Sequence, residues 1–556
     1  MMVRKWQSDG EGRGMNDRRK ESRDVKNSIG RAFFAALALV LQIGWIVSLL
    51  NRAGTSFPYV QFATELLALI VAVVIINQRR SAASKNLWIL LVLTFPVLGL
   101  ILYLLVGQPW ATHTMRKRYE SIDRSLILNL QQDPDVLHAL EVEDAGAAAQ
   151  MRYLQAWCKF PAYRNTQVEF HADTGAAFDA LKAELKKAER FIFMEYHAIE
   201  CSSCFFEIEE ILAERARSGV EVRLFYDDVG SVAFIDRSFV RRMEAQGIQC
   251  RAFNPILPIA SAFMNNRDHR KITVIDGRVG FTGGYNLADE YFNRGIAPKS
   301  SIWSSTFGHK AESETQRASA LVHPYGYWKD TGVLLRGDAV RSLTLIFLEM
   351  WNAEKRMDDS FQRYICKAQD SNLSDGYVQP YADSPLDDER VGEDVYMNVL
   401  KNARRYCWIT TPYLILDDEM SDELTLAAKR GVDVRIITPG IPDKKLVYRL
   451  TRSYYAQLAR CGVRIFEFTP GFMHAKQMVS DDCTAVVGTI NLDYRSLYLH
   501  FENALLMYRC SAVRDVRADF EATFPKCREV TADYSRGQPL HTRITQSLLR
   551  LLAPLL

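Results

Sequence analysis

The chain carries almost no net charge: 69 Lys and Arg stand against 66 Asp and Glu, a formal balance of +3 over 556 residues. A protein that neutralises a polyanion along an extended surface needs a cationic excess, so the composition gives nucleic-acid binding no support. No extended basic and aromatic stripe suited to single strands is present either. Cysteine is too sparse and irregular for a disulfide framework, with ten residues and none before position 158. Cys201 and Cys204 have the spacing of half a zinc or redox motif, but no second CxxC completes a four-ligand set, which leaves two ordinary thiols. A secretory cleavage pattern is lacking as well. No small-residue site comes after the first apolar run before the next begins, so an anchor is expected and not a removed leader.

Those apolar runs are the first feature of note. Residues 32–50 form 19 positions without a charge and residues 87–106 form 20, each long enough for a helix across roughly 30 Å of hydrocarbon. A run between them, 57–76, carries Gln61, Thr64 and Glu65 and is expected to span with an internal polar patch, the alternative being entry only partway, which leaves two spans or three. The polar tail 1–31 holds Arg18, Arg19, Lys20, Arg23, Lys26 and Arg31 and is expected in the cytoplasm. Arg79, Arg80 and Lys85 favour one orientation for the remainder of the chain, and Arg116, Lys117 and Arg118 the opposite, so the sequence leaves the side of the membrane open. A polar linker is expected over 107–160. The rest is too long for one undivided core.

That large C-terminal region compares with itself. AERFIFMEY at 188–196 matches ARRYCWITT at 403–411, and ARSGVEVRLFY at 216–226 matches AKRGVDVRIIT at 428–438. Strands alternate with helical stretches in each half, which predicts an α/β fold of two lobes, 161–370 and 371–530, with helices covering mixed, largely parallel sheets. A tail, 531–556, carries Leu548, Leu549, Leu551, Leu552, Leu555 and Leu556 with Arg543 and Arg550, a pattern suited to lying on lipid or to packing on the lobes.

Both halves then lead into the same sparse set of polar residues. His269, Lys271, Asp276, Gly283, Gly284 and Asn286 recur as His474, Lys476, Asp481, Gly488, Thr489 and Asn491, at offsets of +2, +7, +14, +15 and +17 in both copies. Extended apolar patterns at 272–275 and 477–480 predict that His and Lys stand two apart on a strand and share a face. A pseudo-twofold axis would gather two imidazoles, two ammonium groups and two Asn amides into one site. Such a set suits a phosphodiester: the cations and amides neutralise the charge that grows on the phosphoryl oxygens, one imidazole attacks phosphorus, and the other exchanges a proton with the leaving and entering hydroxyls. That division needs one neutral and one protonated ring near neutral pH. Glu195, at the end of an apolar strand, has Thr410 as its repeat partner and reads more as local structure than as site. Arg495 and Ser496 suit either phosphate contact or capping.

The duplicated pattern resembles the phospholipase D superfamily, in which two HKD motifs build one active site and a phosphohistidine forms without metal; the likeness spans residues 160–530. Residues 65–106 with Trp88, Pro96, Gly99 and Tyr103, then Gly107, look like the membrane hairpin of bacterial cardiolipin synthases. Asn491, Asp493, Arg495, Ser496, Phe501, Glu502 and Asn503 resemble that family's second motif. The resemblance implies a catalytic set of His269, Lys271, Asp276, His474, Lys476 and Asp481, in which the HKD aspartates support the fold, with Asn286 and Asn491 on the phosphate. It implies that each histidine is held by a carboxylate downstream of its own motif, Asp330 for His269 and Glu502 for His474, and that no metal or other cofactor is used. Thr489 stands where the wider superfamily has Ser and keeps the hydroxyl, and residues 294–325 look like an insertion. The implied reaction joins two phosphatidylglycerol molecules into cardiolipin and glycerol through a phosphohistidine, with His269 as nucleophile and His474 as general acid and base, in a multi-pass protein of the bacterial cell membrane. Hydrolysis by the same residues is the alternative, with a membrane-anchored nuclease or an inactive scaffold further behind. No motif encodes acceptor choice or oligomeric state.

Overall fold

The computed structural model describes residues 58–556 except 79–80, 108–112, 127–129, 237, 256–265, 295–323, 359–360, 367–374, 537–538, 552 and 556. The basic tail, the run 32–50, Arg79, Arg80 and nearly all of the 294–325 insertion therefore lie outside the described residues. The run at 57–76 forms helix α1 (Pro58–Ile76). The run at 87–106, expected as one continuous helix, is broken into α2 (Ala82–Thr94) and α3 (Pro96–Leu102), followed by a π-helical turn, Tyr103–Gly107. Pro96 causes the break. It lacks an N–H and excludes helical geometry from the residue before it, and Phe95 accordingly takes φ −128° and ψ 72°. The chain then folds back so closely that a Cβ on Gly99 would meet the Val92 Cα at 2.6 Å. Only glycine permits that approach. Ala68, Ile75, Trp88, Val92, Leu100 and Tyr103 form a small core inside the resulting hairpin. Among the described residues no helix is long and apolar enough to cross a membrane.

The stretch expected as a linker folds into α4 (His113–Leu126), α5 (Pro134–Glu143) and α6 (Ala145–Ala156). Its polar composition hides an apolar face: Tyr119, Ile122 and Leu126 enter one core, and Leu140, Met151 and Leu154 another.

The first lobe contains β1 (Thr166–His171), β2 (Phe191–Tyr196), β3 (Glu221–Asp227), β4 (Gln249–Phe253), β5 (Arg267–Asp268), β6 (Lys271–Ile275), β7 (Val279–Gly283), β8 (Tyr327–Lys329) and β9 (Gly332–Gly337). The second contains β10 (Tyr377–Asp383), β11 (Tyr406–Thr410), β12 (Asp433–Pro439), β13 (Arg464–Phe468), β14 (Gly471–Met473), β15 (Gln477–Ser480), β16 (Thr484–Gly488), β17 (His500–Tyr508) and β18 (Cys527–Glu529). The sheet orders correspond: β1-β9-β7-β6-β2-β3-β4 in the first and β10-β17-β16-β15-β11-β12-β13 in the second, where β18 adds an edge. Parallel pairing in these two orders is confined to β2-β3-β4 and β11-β12-β13. The other neighbours along them run antiparallel. The sheets are mixed, as expected, but they are not largely parallel. Strand–helix alternation governs only the middle of each repeat, and a tight turn then makes a hairpin of β6 and β7, and of β15 and β16.

Helix α7 (Val340–Glu354) comes after β9. In the second lobe α8 (Lys445–Arg460) precedes β13, the short α9 (Tyr494–Tyr498) lies just behind the second motif, and α10 (Ser511–Thr523) comes after β17. Helices α7 and α10 fill one continuous core between the sheets, which joins Phe193, Val274 and Trp351 to Val479, Val487 and Phe501. A last helix, α11 (Leu540–Leu551), lies in the tail.

The hairpin turns explain the motif aspartates. Asp276 and Asp481 sit in the left-handed region, at φ 55° and 54°. Asp276 accepts hydrogen bonds from the backbone N–H of Glu189, Arg190 and Phe191 at 2.9, 2.7 and 2.9 Å; Asp481 does the same for Arg404, Arg405 and Tyr406 at 2.7, 2.8 and 3.0 Å. They fasten the starts of β2 and β11 at the end of the hairpin strand away from the lysine, and so support the fold around the site. Asp276→Ala is expected to lower unfolding free energy by about 3 kcal/mol, since three charge-assisted bonds are lost. Asp276→Asn, which tolerates the same backbone, should lose less. Denaturant unfolding measures both, and turnover by the folded fraction should persist.

Candidate active site

The strands that carry the two histidines leave their own lobes before reaching them. β5 pairs in parallel with the start of β17, Arg267 opposite His500 and Asp268 opposite Phe501, and the His269 N–H then donates to the Phe501 carbonyl at 2.8 Å. The mirror exchange pairs β14 with β8, Phe472 opposite Trp328 and Met473 opposite Lys329, and the His474 N–H donates to the Lys329 carbonyl at 2.8 Å. Each histidine is thus delivered next to the carboxylate of the opposite lobe. The Nδ1 of His269 lies 2.9 Å from both oxygens of Glu502, and the Nδ1 of His474 lies 2.5 Å from Asp330. Both carboxylates expected to orient the histidines do contact them, but with partners crossed relative to expectation. The sequence places each carboxylate downstream of one motif, whereas the backbone exchange puts it beside the other. For the same reason His269 precedes β6, and His474 and Lys476 precede β15, so the expected same-strand pairing of His and Lys is replaced by a bend.

In that bend each lysine turns back on its histidine. Lys271 Nζ donates to the His269 carbonyl at 2.5 Å, and Lys476 Nζ donates to the His474 carbonyl and lies 2.8 Å from its Nδ1. The Thr489 hydroxyl donates to the Glu502 carboxylate and to the Asn503 carbonyl, the latter at 3.1 Å. A carboxylate on Nδ1 holds the proton there and leaves the Nε2 lone pair for chemistry. The set is sealed: His269 and His474 are 8% and 7% exposed and each lysine 1%.

Burial governs the electrostatics. It pushes both imidazoles below their ordinary range, helped by the ammonium groups; His474 falls to about 4 although Asp330 opposes the shift, and His269 falls well below 6.5 with Lys271, His197 and His500 beside it. Burial also brings Lys271 down to about 8 and Lys476 to about 7, against the pull of Glu502 and Asp330. The carboxylates diverge. Burial carries Glu502 well above its usual range, whereas for Asp330 burial is outweighed by His474 and Lys476, which hold it low.

The amides are partly engaged. Asn286 Oδ1 accepts from the Ala198 N–H at 3.1 Å and Nδ2 donates to the Tyr291 hydroxyl at 2.8 Å, which leaves one amide hydrogen. Asn491 is buried with its amide oxygen lacking a hydrogen-bond partner. The Ser496 N–H is capped by Asp493 at 2.9 Å, and Arg495 Nε lies 3.2 Å from His500 Nε2. Glu195 is fully buried, its carboxylate driven upward by burial and by Asp268.

The sequence reading missed the rings around the histidines. His197 and His500 lie 4.9 and 5.4 Å from His269, centroid to centroid; Tyr291, Trp328 and Phe472 lie 5.2, 5.3 and 5.8 Å from His474. The repeat held a signal for two of them, because His500 precedes Glu502 by two residues just as Trp328 precedes Asp330. His269, His500 and Glu502 also place three donor atoms of metal-ligand type within 4.8 Å of one another, but two of those groups already bond each other beside a lysine. All ten cysteines are free thiols.

Comparison with known proteins finds matches along most of the chain. The family described as cardiolipin synthase, PLD-like domain matches residues 181–311 and 396–524, and the phospholipase D-nuclease N-terminal family matches residues 66–108. An uncharacterized protein of Streptococcus mutans is 40% identical over 87% of this chain and 98% of its own length. A cardiolipin synthase of Alkalihalophilus pseudofirmus is 31% identical over 94% of this chain and 98% of its own length. In solved structures, the phosphatidylserine synthase of Haemophilus influenzae shares the fold with a TM-score of 0.51 at 14% identity, over 73% of this chain and 98% of that one.

The geometry sets two measurable outcomes. A lysine is cationic below its pKa and neutral above it, so kcat/KM for an anionic phosphodiester should fall as pH rises through about 7 to 8, the values of Lys476 and Lys271. A profile flat to pH 9 would contradict that, on the order of one pH unit above the higher value. In double-mutant cycles on kcat/KM, His269 should couple with Glu502 and His474 with Asp330, each by about 1 kcal/mol or more, while the same-lobe pairs, His269 with Asp330 and His474 with Glu502, couple less.

Proposed function

Because the chain belongs to the cardiolipin synthase family and is an enzyme of the phospholipase D type, we propose that it transfers a phosphatidyl group between two phosphatidylglycerol molecules through the crossed histidine–carboxylate pairs. The observation that carries the reading is that pair of contacts, His269 with Glu502 and His474 with Asp330, made across the two lobes over a floor of two buried lysines. Nε2 of His269 attacks phosphorus; the bond to the glycerol oxygen breaks, its electrons stay on that oxygen, and His474 supplies the proton. The primary hydroxyl of a second phosphatidylglycerol then attacks phosphorus, gives its proton to His474, and the phosphorus–nitrogen bond breaks. Cardiolipin and glycerol result.

The carboxylates support these roles. Glu502, made more basic by burial, takes up positive charge from the Nδ1 side as His269 bonds to phosphorus. Asp330, held ionised, favours the imidazolium that His474 must become. Both rings are neutral in the empty site, so His474 takes its proton from solvent as the anionic phosphate binds, whose charge raises the pKa of the ring beside it. Lys271 and Lys476 neutralise the phosphoryl oxygens, with the remaining Asn286 hydrogen and the Asn491 amide as further donors. We place the lobes at 161–370 and 371–530 behind a membrane region at 32–106, in the bacterial cell membrane. Support for that placement comes from the charge-free run 32–50 and from the apolar exterior of α1, where Phe62, Leu69 and Ile70 are exposed.

The test is product analysis by mass spectrometry with full-length protein, labelled phosphatidylglycerol and the variants His269→Ala and His474→Ala. Cardiolipin with an equal amount of glycerol is expected, reduced by on the order of a thousandfold or more in each variant. Phosphatidic acid as the sole product would move the assignment to hydrolysis, and normal synthesis by His269→Ala would remove the single-site mechanism.

A further inference from the structure

One face of the tail helix α11 is docked on the second lobe. Arg550 donates to the Ser453 hydroxyl and carbonyl and to Gln457 on α8, and its guanidinium lies 4.3 Å from the Tyr454 ring centroid. Leu549 packs against the second-lobe core.

The opposite face is open among the described residues. Leu540, Ile544, Leu548 and Leu551 are 70, 54, 62 and 43% exposed. At about 100° per residue these four fall within a stripe roughly 80° wide, on the side of the helix away from Leu549 and Arg550. Four large aliphatic side chains in one exposed row are costly in water and mark a surface with an occupant.

Two observations identify it as lipid. First, the charge is one-sided: from residue 534 to 556 there is no Asp or Glu, while Arg536, Arg543 and Arg550 are present, and Arg536 and Arg543 are exposed. An apolar row flanked by cations without a carboxylate suits an anionic phospholipid surface. Second, the segment is continuous with the membrane hairpin. The turn beyond α11, Ala553–Leu555, touches α2 on one side and α9 on the other. Ala553 is buried in the same core against which Ala83 of α2 packs.

We propose that α11 is a second membrane contact, whose row of Leu540, Ile544, Leu548 and Leu551 lies on an anionic bilayer surface beside the hairpin. This rests on the membrane placement proposed above. One contact tethers the enzyme; a second, joined to the helix behind the second motif, restricts how the catalytic lobes tilt over the lipid that supplies both substrates.

The experiment reconstitutes the full chain in vesicles of phosphatidylglycerol and phosphatidylethanolamine with a trace of phosphatidylglycerol bearing a photoreactive acyl chain. After irradiation, label is expected on peptides from 540–551 as well as on α1 and α2. In Ile544→Ser/Leu548→Ser the label should leave 540–551 and persist on the hairpin, with an unchanged melting curve. Turnover of vesicle phosphatidylglycerol should fall about tenfold, and turnover of a dispersed short-chain analogue should not change. Label on the hairpin with none on 540–551 in the wild-type protein overturns the proposal, and so does cross-linking of 540–551 to a second copy of the chain. Labelling is read without reference to products, so a chain that makes no cardiolipin but labels at 540–551 would fail the synthase reading and keep this one.

Discussion

The site depends on an exchange of backbone between the two lobes. β5 adds to β17 and β14 adds to β8, and in each case the next residue is a histidine whose N–H is bonded to the other lobe. The ladder fixes register, and register fixes which side chains meet. Sliding β5 by one residue on β17 would move His269 away from Glu502 and turn its ring to the other face. Separating the lobes would part both carboxylates from their imidazoles. Neither lobe is therefore a half-enzyme in the chemical sense, since each supplies a histidine that the other orients.

That exchange is held from behind by a buried cation. Arg270, next to His269 and 1% exposed, donates to the Glu502 carbonyl at 3.2 Å, to Glu349 on α7 at 3.3 Å and to the Asp383 carbonyl at 3.3 Å. The second lobe has Ala475 at that position, and its anchoring comes instead from Lys329, which bonds Asp519 on α10 at 2.7 Å. Burying ions is expensive unless every one is paired and bonded. The enzyme accepts that expense on both sides of the seam, and within the pocket the burial of Lys271, Lys476, His269 and His474 themselves lowers the pKa of each. Such a pocket is short of negative charge, and a phosphodiester supplies it.

Much of this was legible from the chain. The equal offsets of His269, Lys271 and Asn286 with His474, Lys476 and Asn491 were enough to infer one duplicated site, and aligning the strand beyond each motif pointed to Asp330 and Glu502. Their partners were not legible, because a repeat compares each lobe with itself and carries no record of which lobe a strand end pairs with. The same limit hid His197, whose repeat counterpart is Pro412, so that no symmetry pointed to it. The antiparallel hairpins were signalled locally by Asp276-Gly277, but alternation of strand and helix was read as applying throughout. Pro96 likewise announced a break that run length alone concealed, and the apolar faces of α4 and α6 were diluted by their polar surroundings.

The arrangement also bears on why a transferase can be built from the parts of a hydrolase. In the proposed mechanism, once the first alcohol has left, His474 is a neutral base beside an electrophilic phosphorus, and it accepts a proton from water as readily as from a lipid hydroxyl. Nothing in the crossed pairs distinguishes the two acceptors, since both present the same oxygen to the same nitrogen. Selection has to come from access. The two histidines show only 8% and 7% of their surface. The segment behind the second motif, α9, is tied through Ala553–Leu555 to the hairpin helix α2. If the hairpin lies in the membrane as proposed, a site so enclosed and joined to it receives its acceptor from the lipid phase, and the acceptor is then set by where the lobes are held while the lobes set the chemistry.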